Sequence, residues 1–340
     1  IKDGIYHAKA GNMDVPLFKV LLTNQCNNDC AYCTNCMNHK YQRARLSPEA
    51  LARIYMKYYE NGTVEGLFLS SGIIKDADTT MEEMIEAVSL LRNKYSYKGY
   101  VHLKIIPGAS KDHIKYAMQL ADRVSINIEA ATRDGLSDLS STKNYDKDIL
   151  KRLDWIDNLH RRNHNLASSG HTTQIIVGAN EETDEDILKQ VYHLTQKYDV
   201  LYNYFSNFKP LEGTPLENHE AGDPRRTGRL YQAEYLFTKY NYNKDDIILD
   251  DNGNLELTND PKYTIALQHM EDYPIDVNTA KYKELIRVPG IGLKSARRIT
   301  HLQKENKKIT SLKQLQQLGA NIKKCKIFVK VGGSYQSTLI

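Results

Sequence analysis

Four of the five cysteines in this 340-residue chain lie between Cys26 and Cys36. An odd total crowded into one segment is not the distribution of a disulfide framework in a large chain. The first three, Cys26, Cys30 and Cys33, are spaced C-x3-C-x2-C. Three thiolates at this spacing surround one side of an iron-sulfur cubane and leave its fourth iron without a protein ligand. The spacing therefore predicts a cluster whose open iron binds a substrate.

Zinc is the competing metal for this segment, because Cys36 and His39 extend the set of potential tetrahedral ligands. Structural zinc sites generally sit in small knuckles, whereas these cysteines directly follow a predicted strand of an α/β region. The iron-sulfur interpretation is favoured. A non-enzymatic, zinc-stapled nucleic-acid-binding protein stays open as an alternative, and Cys36 has no assigned role.

A second motif lies near the carboxyl terminus, where the sequence from Leu285 to Ile299 is typical of a helix-hairpin-helix. Two glycines around one apolar residue permit a tight turn into a helix whose first N–H groups bind a phosphate. Basic residues in the first turns of that helix add charge. The predicted nucleic-acid-binding residues are Pro289, Gly290, Ile291, Gly292, Lys294, Ser295, Arg297 and Arg298.

The charge distribution supports this interpretation. Residues 281–340 hold fourteen lysines and arginines against two glutamates, a formal charge of +12, which leaves −8 for residues 1–280 out of the total of +4. Such asymmetry is typical of polyanion binding through the phosphate backbone of DNA or RNA. The mean hydropathy of −0.57 and the lack of a long apolar run predict no membrane segment, so a cytoplasmic location is expected.

Short apolar runs alternate with amphipathic stretches between residues 18 and 210, which predicts repeated βα units. Six strands are predicted, at residues 18–23, 65–70, 100–106, 123–129, 173–177 and 200–205. The expected fold class is α/β, a partial (β/α)6 TIM-like barrel with a small all-α helix-hairpin-helix module. The expected domains are residues 1–220 for the barrel, 221–275 for a connecting helix and β-hairpin, and 276–340 for the module. The β-hairpin is predicted at residues 246–249 and 255–257, joined by Asn252-Gly253.

Polar residues recur where the predicted strands end, the edge at which a barrel carries its active site. Ser125, Asn127 and Glu129 alternate and so share one face of the fourth strand. Lys104 ends the third strand and is a potential partner of Glu129. On the sixth strand, Tyr202, Tyr204 and Ser206 alternate in the same way and are candidates for a substrate pocket.

The cysteine spacing, the aromatic Tyr32 before the last cysteine and the βα repeats together resemble the radical S-adenosylmethionine (SAM) superfamily. The resemblance implies a [4Fe-4S] cluster that chelates SAM at its open iron and cleaves it to a 5'-deoxyadenosyl radical. It assigns SAM contacts by position to Tyr32, to Ser70, Ser71 and Gly72, to Lys104, to Ser125, Asn127 and Glu129, and to Ile176 and Gly178. Ser70 and Ser71 depart from the family's Gly-Gly-Glu-like turn.

Both motifs, with the segments Phe205–Glu217 and Asp276–Asn278, resemble one narrower family of radical SAM proteins of DNA modification or repair. That resemblance implies a uracil-DNA-glycosylase-like partner and an electron donor such as flavodoxin or ferredoxin. The sequence therefore predicts a radical SAM enzyme that acts on DNA or RNA. The alternative within the superfamily is an enzyme for a protein or small molecule, with the hairpin serving only to dock.

Overall fold

A seven-stranded sheet is the framework of the amino-terminal part of the protein, in a computed structural model that describes residues 4–10 and 13–335. The strands lie side by side in chain order, the first antiparallel to the second and the remaining pairs parallel. The strands are β1 (Ile5–Ala10), β2 (Met13–Leu21), β3 (Gly66–Ser70), β4 (Tyr100–Lys104), β5 (Arg123–Ser125), β6 (His171–Val177) and β7 (Val200–Asn207). The six parallel strands curl into the predicted half-barrel.

Helices return the chain between the parallel strands, as parallel pairing requires. They are α1 (Pro48–Glu60), α2 (Ala77–Asn93), α3 (Lys111–Leu120), α4 (Arg133–Leu139), α5 (Lys151–Arg162) and α6 (Asp184–Lys197), with a π-helical turn at Tyr145–Leu150. Side-chain caps fix several starts: Ser47, Asp76 and Ser110 each accept a hydrogen bond from the first turn of their helix. The helices α1, α2 and α3 each bury large apolar residues, such as Leu51, Met84 and Ile114.

The chain divides into two compact units. One comprises Ile1–Glu182 with His193–Asp223, and the other Thr183–Tyr192 with Pro224–Ile340. The division of the sequence into three domains stays a prediction. Among the described residues, no helix has both the length and the apolar character to cross a membrane.

The second unit contains the basic carboxyl-terminal region. Its helices are α7 (Pro224–Lys239), α8 (Pro261–Gln268), α9 (Tyr282–Leu285), α10 (Leu293–Lys304), α11 (Leu312–Gln317) and α12 (Ile322–Cys325). A small sheet, not expected from the sequence, joins β8 (Ile275–Asp276), β9 (Val329–Val331) and β10 (Ser334–Tyr335). Leu285, Val288, Ile299 and Phe328 are fully buried in a separate hydrophobic core.

The β-hairpin predicted at residues 246–249 and 255–257 is wrong. The turn at Asn252-Gly253 forms, with Gly253 at φ +76°, but no strand flanks it. Side-chain carboxylates accept the backbone hydrogen bonds that a neighbouring strand would accept in a hairpin. The Asp250 carboxylate accepts hydrogen bonds from the Asn252 and Asn254 amides at 2.9 Å. The Asp184 carboxylate accepts one from the Leu255 amide at 2.8 Å. The Asn-Gly signal thus predicted the turn correctly and its strands incorrectly.

Candidate functional site

The cysteine-bearing segment, residues 24–45, leaves the carboxyl end of β2 and leads to α1. Cys30 is buried, while Cys26 and Cys33 are half-buried. Backbone amides face two of the sulfurs: the Asn28 N–H donates to Cys26 Sγ and the Asn35 N–H to Cys33 Sγ, each at 3.4 Å. Burial raises the pKa of the Cys30 thiol, and it raises that of Cys33 to about 11. Burial thus favours the neutral thiol at Cys30 and Cys33, and a bound cation would offset this preference.

Arg43 fixes the shape of this segment, a role that no motif in the sequence indicates. Its guanidinium donates to four backbone carbonyls: Asn24 at 2.6 Å, Asn35 at 3.0 Å, Cys36 at 2.6 Å and His39 at 3.0 Å. All four acceptors flank the cysteines. One planar side chain therefore joins the start of the segment to its far end.

The end of β3 packs directly on the cysteine segment. A side chain at Gly72 would place its Cβ 2.1 Å from the Gln25 carbonyl oxygen and 3.2 Å from Cys26 Cβ, so only glycine fits. The Gly72 amide donates to the Thr23 carbonyl at 2.8 Å. Ser71 Oγ is buried with no hydrogen-bond partner among the described residues. Ser70, Ser71 and Gly72 thus lie beside the predicted cluster site and leave a polar group unsatisfied there.

Charged side chains form a continuous network on the inner face of the sheet. Lys104 Nζ donates to Asn127 Oδ1, and Asn127 Nδ2 donates to Glu129 Oε2 at 3.3 Å. Glu129 Oε1 in turn pairs with the ammonium of Lys143 at 3.3 Å. Burial lowers the pKa of Lys104 to about 8. The structure therefore links Lys104 to Glu129 through Asn127, and the ammonium that pairs with Glu129 belongs to Lys143, which was not predicted.

Lys143 reaches the cysteine segment from a distant part of the chain. Its ammonium donates to the Tyr32 hydroxyl at 3.5 Å. Tyr32 lies between Cys30 and Cys33 in the sequence. Burial acts to lower the pKa of Lys143, but the nearby Glu129 carboxylate acts against burial, and this pKa is raised overall. The lysine therefore stays charged. Tyr32 is half-buried, and burial together with Glu129 raises its pKa.

The remaining predicted SAM contacts lie further along the sheet. Ser125 Oγ bonds to His102 Nε2 at 2.8 Å and is buried. Ile176 is buried on β6 and pairs in register with Ser206. Gly178, at φ +85°, packs against Gly222, since a Cβ there would lie 3.0 Å from the Gly222 Cα. Gly178 therefore has a packing role whether or not a ligand is bound.

Tyr202 and Tyr204 lie on the inner face of β7, opposite Thr172 and Gln174 of β6. They are 54% and 39% exposed, unusual values for tyrosines within a sheet, and their rings lie 6.4 Å apart. Arg123 lies beside them: its guanidinium counteracts the burial that raises the pKa of Tyr204, and it lies 5.9 Å from the ring of Tyr100. The inner face of the sheet therefore presents two exposed tyrosine rings with the Arg123 guanidinium close by.

The two further donors of the zinc alternative, Cys36 and His39, lie in the same segment as the three cysteines, and His39 Nδ1 is buried with no hydrogen-bond partner among the described residues. His39 Nε2 lies 3.0 Å from the Glu212 carbonyl oxygen, and Cys36 is buried. In the part of the chain that the structure describes, no three His, Cys, Asp or Glu side chains converge on one point. Thiolates that hold a four-iron cluster bind different irons, so they need not converge in this way.

The helix-hairpin-helix forms as predicted at α9 and α10. Gly290 has φ +80°, and a Cβ there would lie 2.5 Å from the Asn321 carbonyl oxygen. Gly292 is the N-cap of α10, with no side-chain cap. Three of the predicted residues are exposed at the start of α10, namely Lys294, Arg297 and Arg298, whereas Pro289, Ile291 and Ser295 are buried in the module.

Lys262 of α8 lies behind the hairpin turn and was not predicted. Its ammonium donates to the Ile291 carbonyl at 2.7 Å and lies 4.7 Å from the Tyr240 ring. Burial lowers the pKa of Lys262 to about 7, although Asp260 acts to raise it. The backbone of the hairpin turn is thus hydrogen-bonded to the partly desolvated amine of Lys262.

A family model described as the Radical SAM superfamily matches residues 20–190, half of the chain. A second, described as a helix-hairpin-helix motif, matches residues 272–321. The comparison with curated proteins finds no match.

Several solved structures share the fold of the barrel. The [FeFe]-hydrogenase maturase HydG is similar over 64% of this chain and 48% of its own, at 16% identity and a TM-score of 0.51. HydG from Carboxydothermus hydrogenoformans is similar over 64% of this chain and 50% of its own, at 15% identity and a TM-score of 0.50. Methylornithine synthase PylB is similar over 64% of this chain and 60% of its own, at 15% identity and a TM-score of 0.50. The chain therefore spans between 48% and 60% of the length of these proteins.

Proposed function

The chain belongs to the radical SAM superfamily, and from this premise we propose that it acts on DNA or RNA in modification or repair. The observation that carries the proposal is the presence, in one chain, of a cluster-type cysteine site and a helix-hairpin-helix with a strongly basic surface. A barrel enzyme for a free small molecule has no need of the second element.

The cofactors of the superfamily are a [4Fe-4S] cluster and SAM. When bound, they supply reductive cleavage of SAM to a 5'-deoxyadenosyl radical that abstracts a hydrogen atom. Cys26, Cys30 and Cys33 would hold the cluster, and the donor set fits it, since three sulfurs emerge from one segment with amides directed at two of them.

The neighbouring residues also suit a zwitterionic ligand with a ribose. Gly72 admits no side chain, and the unsatisfied Ser71 hydroxyl lies next to it. Lys104 and Glu129 offer opposite charges for carboxylate and amino or hydroxyl groups. We assign Tyr32, Ser70, Asn127, Ser125, Ile176 and Gly178 to the same binding region by their position in the fold.

The hairpin would hold the phosphate backbone and not a base sequence. The N-terminal amides of α10 suit a phosphate oxygen, and the exposed Lys294, Arg297 and Arg298 add charge around it. Such contacts fix the position of a nucleic acid without reading its bases, so the target would be chosen at the barrel.

A base must leave its stack to reach a radical inside a barrel. Tyr202 and Tyr204 expose their rings on the inner face, and Arg123 lies among them. Exposed rings with a cation favour stacking of unpaired bases. Tyr202 and Tyr204 precede Ser206 along β7, and Arg123 begins β5, so we propose that these groups hold neighbouring unpaired bases while the target base lies beside Ser206, nearer the strand ends that carry the cysteine segment. We expect single-stranded or flipped substrate.

The narrower resemblance extends the proposal to partners: a flavodoxin or ferredoxin as electron donor and a uracil-DNA-glycosylase-like protein, in the cytoplasm.

Anaerobic reconstitution, followed by measurement of 5'-deoxyadenosine with and without oligonucleotide, tests the function. We expect nucleic acid to accelerate SAM cleavage by the wild-type protein, and Cys30→Ala to abolish cleavage. The Gly290→Ala/Gly292→Ala variant should keep basal cleavage and lose the acceleration. If nucleic acid leaves wild-type turnover unchanged, the substrate is a protein or small molecule and the hairpin serves only to dock.

A further inference from the structure

The last residue of α4 and the four residues after it, 139–143, contact the cysteine segment, and we call them the strap. Asp29, between Cys26 and Cys30, anchors it. Its Oδ1 accepts hydrogen bonds from Ser140 Oγ at 2.6 Å and Thr142 Oγ1 at 2.8 Å, and its Oδ2 accepts them from Ser141 Oγ at 2.5 Å and the Ser141 amide at 3.1 Å. The Ala31 amide donates to the Leu139 carbonyl at 2.8 Å.

The Asp29 carboxylate accepts hydrogen bonds from three consecutive residues of the strap, Ser140, Ser141 and Thr142. The strap cannot move away from Cys30 without breaking all of them.

The strap places the buried ammonium of Lys143 beside Cys30, the second cysteine of the motif. Lys143 is 8% exposed and contacts Glu129 Oε1 at 3.3 Å and the Tyr32 hydroxyl at 3.5 Å. Ser140 and Lys143 both lie within hydrogen-bonding reach of the Cys30 thiol. Cys30, the most deeply buried of the three predicted ligands, is thus the one that has an ammonium and a hydroxyl beside it.

We propose that Lys143, held by Asp29 through the strap, is a positioning residue that sets how readily the cluster accepts an electron. A cluster on three thiolates becomes more negative on reduction, and a cation fixed beside one of those thiolates in a poorly solvated site favours the reduced form. Glu129 acts against Lys143, because it shares the same ammonium and carries the opposite charge. The inference depends on the cluster and not on the nucleic-acid substrate.

The test is a potentiometric titration of the reconstituted full-length protein, followed by electron paramagnetic resonance, with neither SAM nor nucleic acid present. We expect Lys143→Met to move the reduction potential to a more negative value at unchanged iron and sulfide content. Lys143→Arg should stay near wild type, because the charge remains. Glu129→Gln should move the potential in the positive direction.

Two further variants separate positioning from general damage. Ser141→Ala/Thr142→Ala, which removes two of the hydrogen bonds from the strap to Asp29 without changing any charge, should shift the potential in the same direction as Lys143→Met, since a weakened strap no longer holds the lysine. Lys147→Met, which removes an exposed lysine four residues away, should leave the potential unchanged. An unshifted potential in Lys143→Met with an intact cluster overturns the proposal. If that variant instead only weakens SAM binding, the lysine serves SAM and not the cluster.

Discussion

The cysteines differ in environment, and the difference predicts which of them are needed. Replacing Cys26, Cys30 or Cys33 with Ala should remove iron and sulfide from the reconstituted protein, because each is needed to complete the ligand set. Cys36→Ala should retain the full iron content, because Cys36 is a buried thiol whose backbone, not its sulfur, is held by Arg43. Iron and acid-labile sulfide per chain, with the visible absorption of the cluster, measure this. Loss of iron in Cys36→Ala would revive a four-ligand site.

Lys262 predicts a pH dependence of the second unit. Its pKa is about 7 in the fold and ordinary, near 10.5, when unfolded. Between these values the unfolded chain binds more protons than the native one, so native stability should rise with pH across this range. Lys262→Met should be more stable near pH 7 and should lose this rise.

Denaturant unfolding of the second unit at pH 7 and pH 9 measures the effect of Lys262. Lys308→Met, which removes an exposed lysine, should keep the wild-type pH dependence. An identical dependence in wild type and Lys262→Met would mean that the amine is solvated in both states.

At this scale, sequence reasoning found side chains that belong to local patterns. Ser70 ends β3, and Ser71 and Gly72 follow it directly. The fourth strand, predicted to extend to Glu129, ends at Ser125, so Asn127 and Glu129 lie just beyond β5. Sequence reasoning missed Arg43, Asp29 and Lys143, because their roles arise from tertiary contacts. Asp29 and Ser140 are separated by 111 positions, and no periodicity connects them.

Among the elements, the hairpin turn before α10 has the least tolerance for change. Gly290→Ala would force a side chain into a left-handed conformation at φ +80° and against the Asn321 carbonyl, 2.5 Å away. We expect a decrease of about 1–3 kcal/mol in the free energy of unfolding of the second unit. Gly228→Ala on α7 is the matched control, since a Cβ there meets nothing within 4 Å and alanine favours a helix. Equal effects of the two substitutions would contradict the strain.

Arg43 predicts the behaviour of the cysteine segment as an element. Arg43→Met leaves four carbonyls without their donor but touches neither the strands nor the helices of the barrel. We expect near-native circular dichroism and poor retention of iron on reconstitution. Arg43→Lys should recover little, because one ammonium cannot reach all four acceptors. Full iron in Arg43→Met would show that the cluster alone shapes the segment.

The elements of the barrel were the easiest part to predict. Each of the six parallel strands lies where an apolar run is bounded by polar residues, and α3 begins directly after its cap residue, Ser110. The antiparallel β1 and the small sheet of β8, β9 and β10 were missed. These strands are short or lie at an edge, and their pairing partners are remote, so their sequences carry little signal of their own.

The whole molecule combines an acidic region with a basic one, and this predicts how it binds nucleic acid. Residues 281–340 carry +12 while residues 1–280 carry −8. Repulsion from the acidic region limits binding to the basic surface, so the number of phosphates neutralised should be small and should be determined there. The logarithm of the association constant should fall linearly with the logarithm of salt concentration, by roughly 0.9 for each phosphate neutralised on duplex DNA.

Variants at the start of α10 locate the phosphate-binding residues. Arg297→Ala/Arg298→Ala should weaken binding to all sequences alike and reduce the magnitude of the salt slope by roughly 1 for each phosphate that the variant no longer neutralises. Lys57→Ala, an exposed lysine on α1 of the acidic region, should change neither affinity nor slope. Fluorescence anisotropy with a labelled oligonucleotide over a series of salt concentrations measures both. A slope that is unchanged in the double variant but reduced in Lys57→Ala would place phosphate binding on the barrel and remove the hairpin from the binding surface.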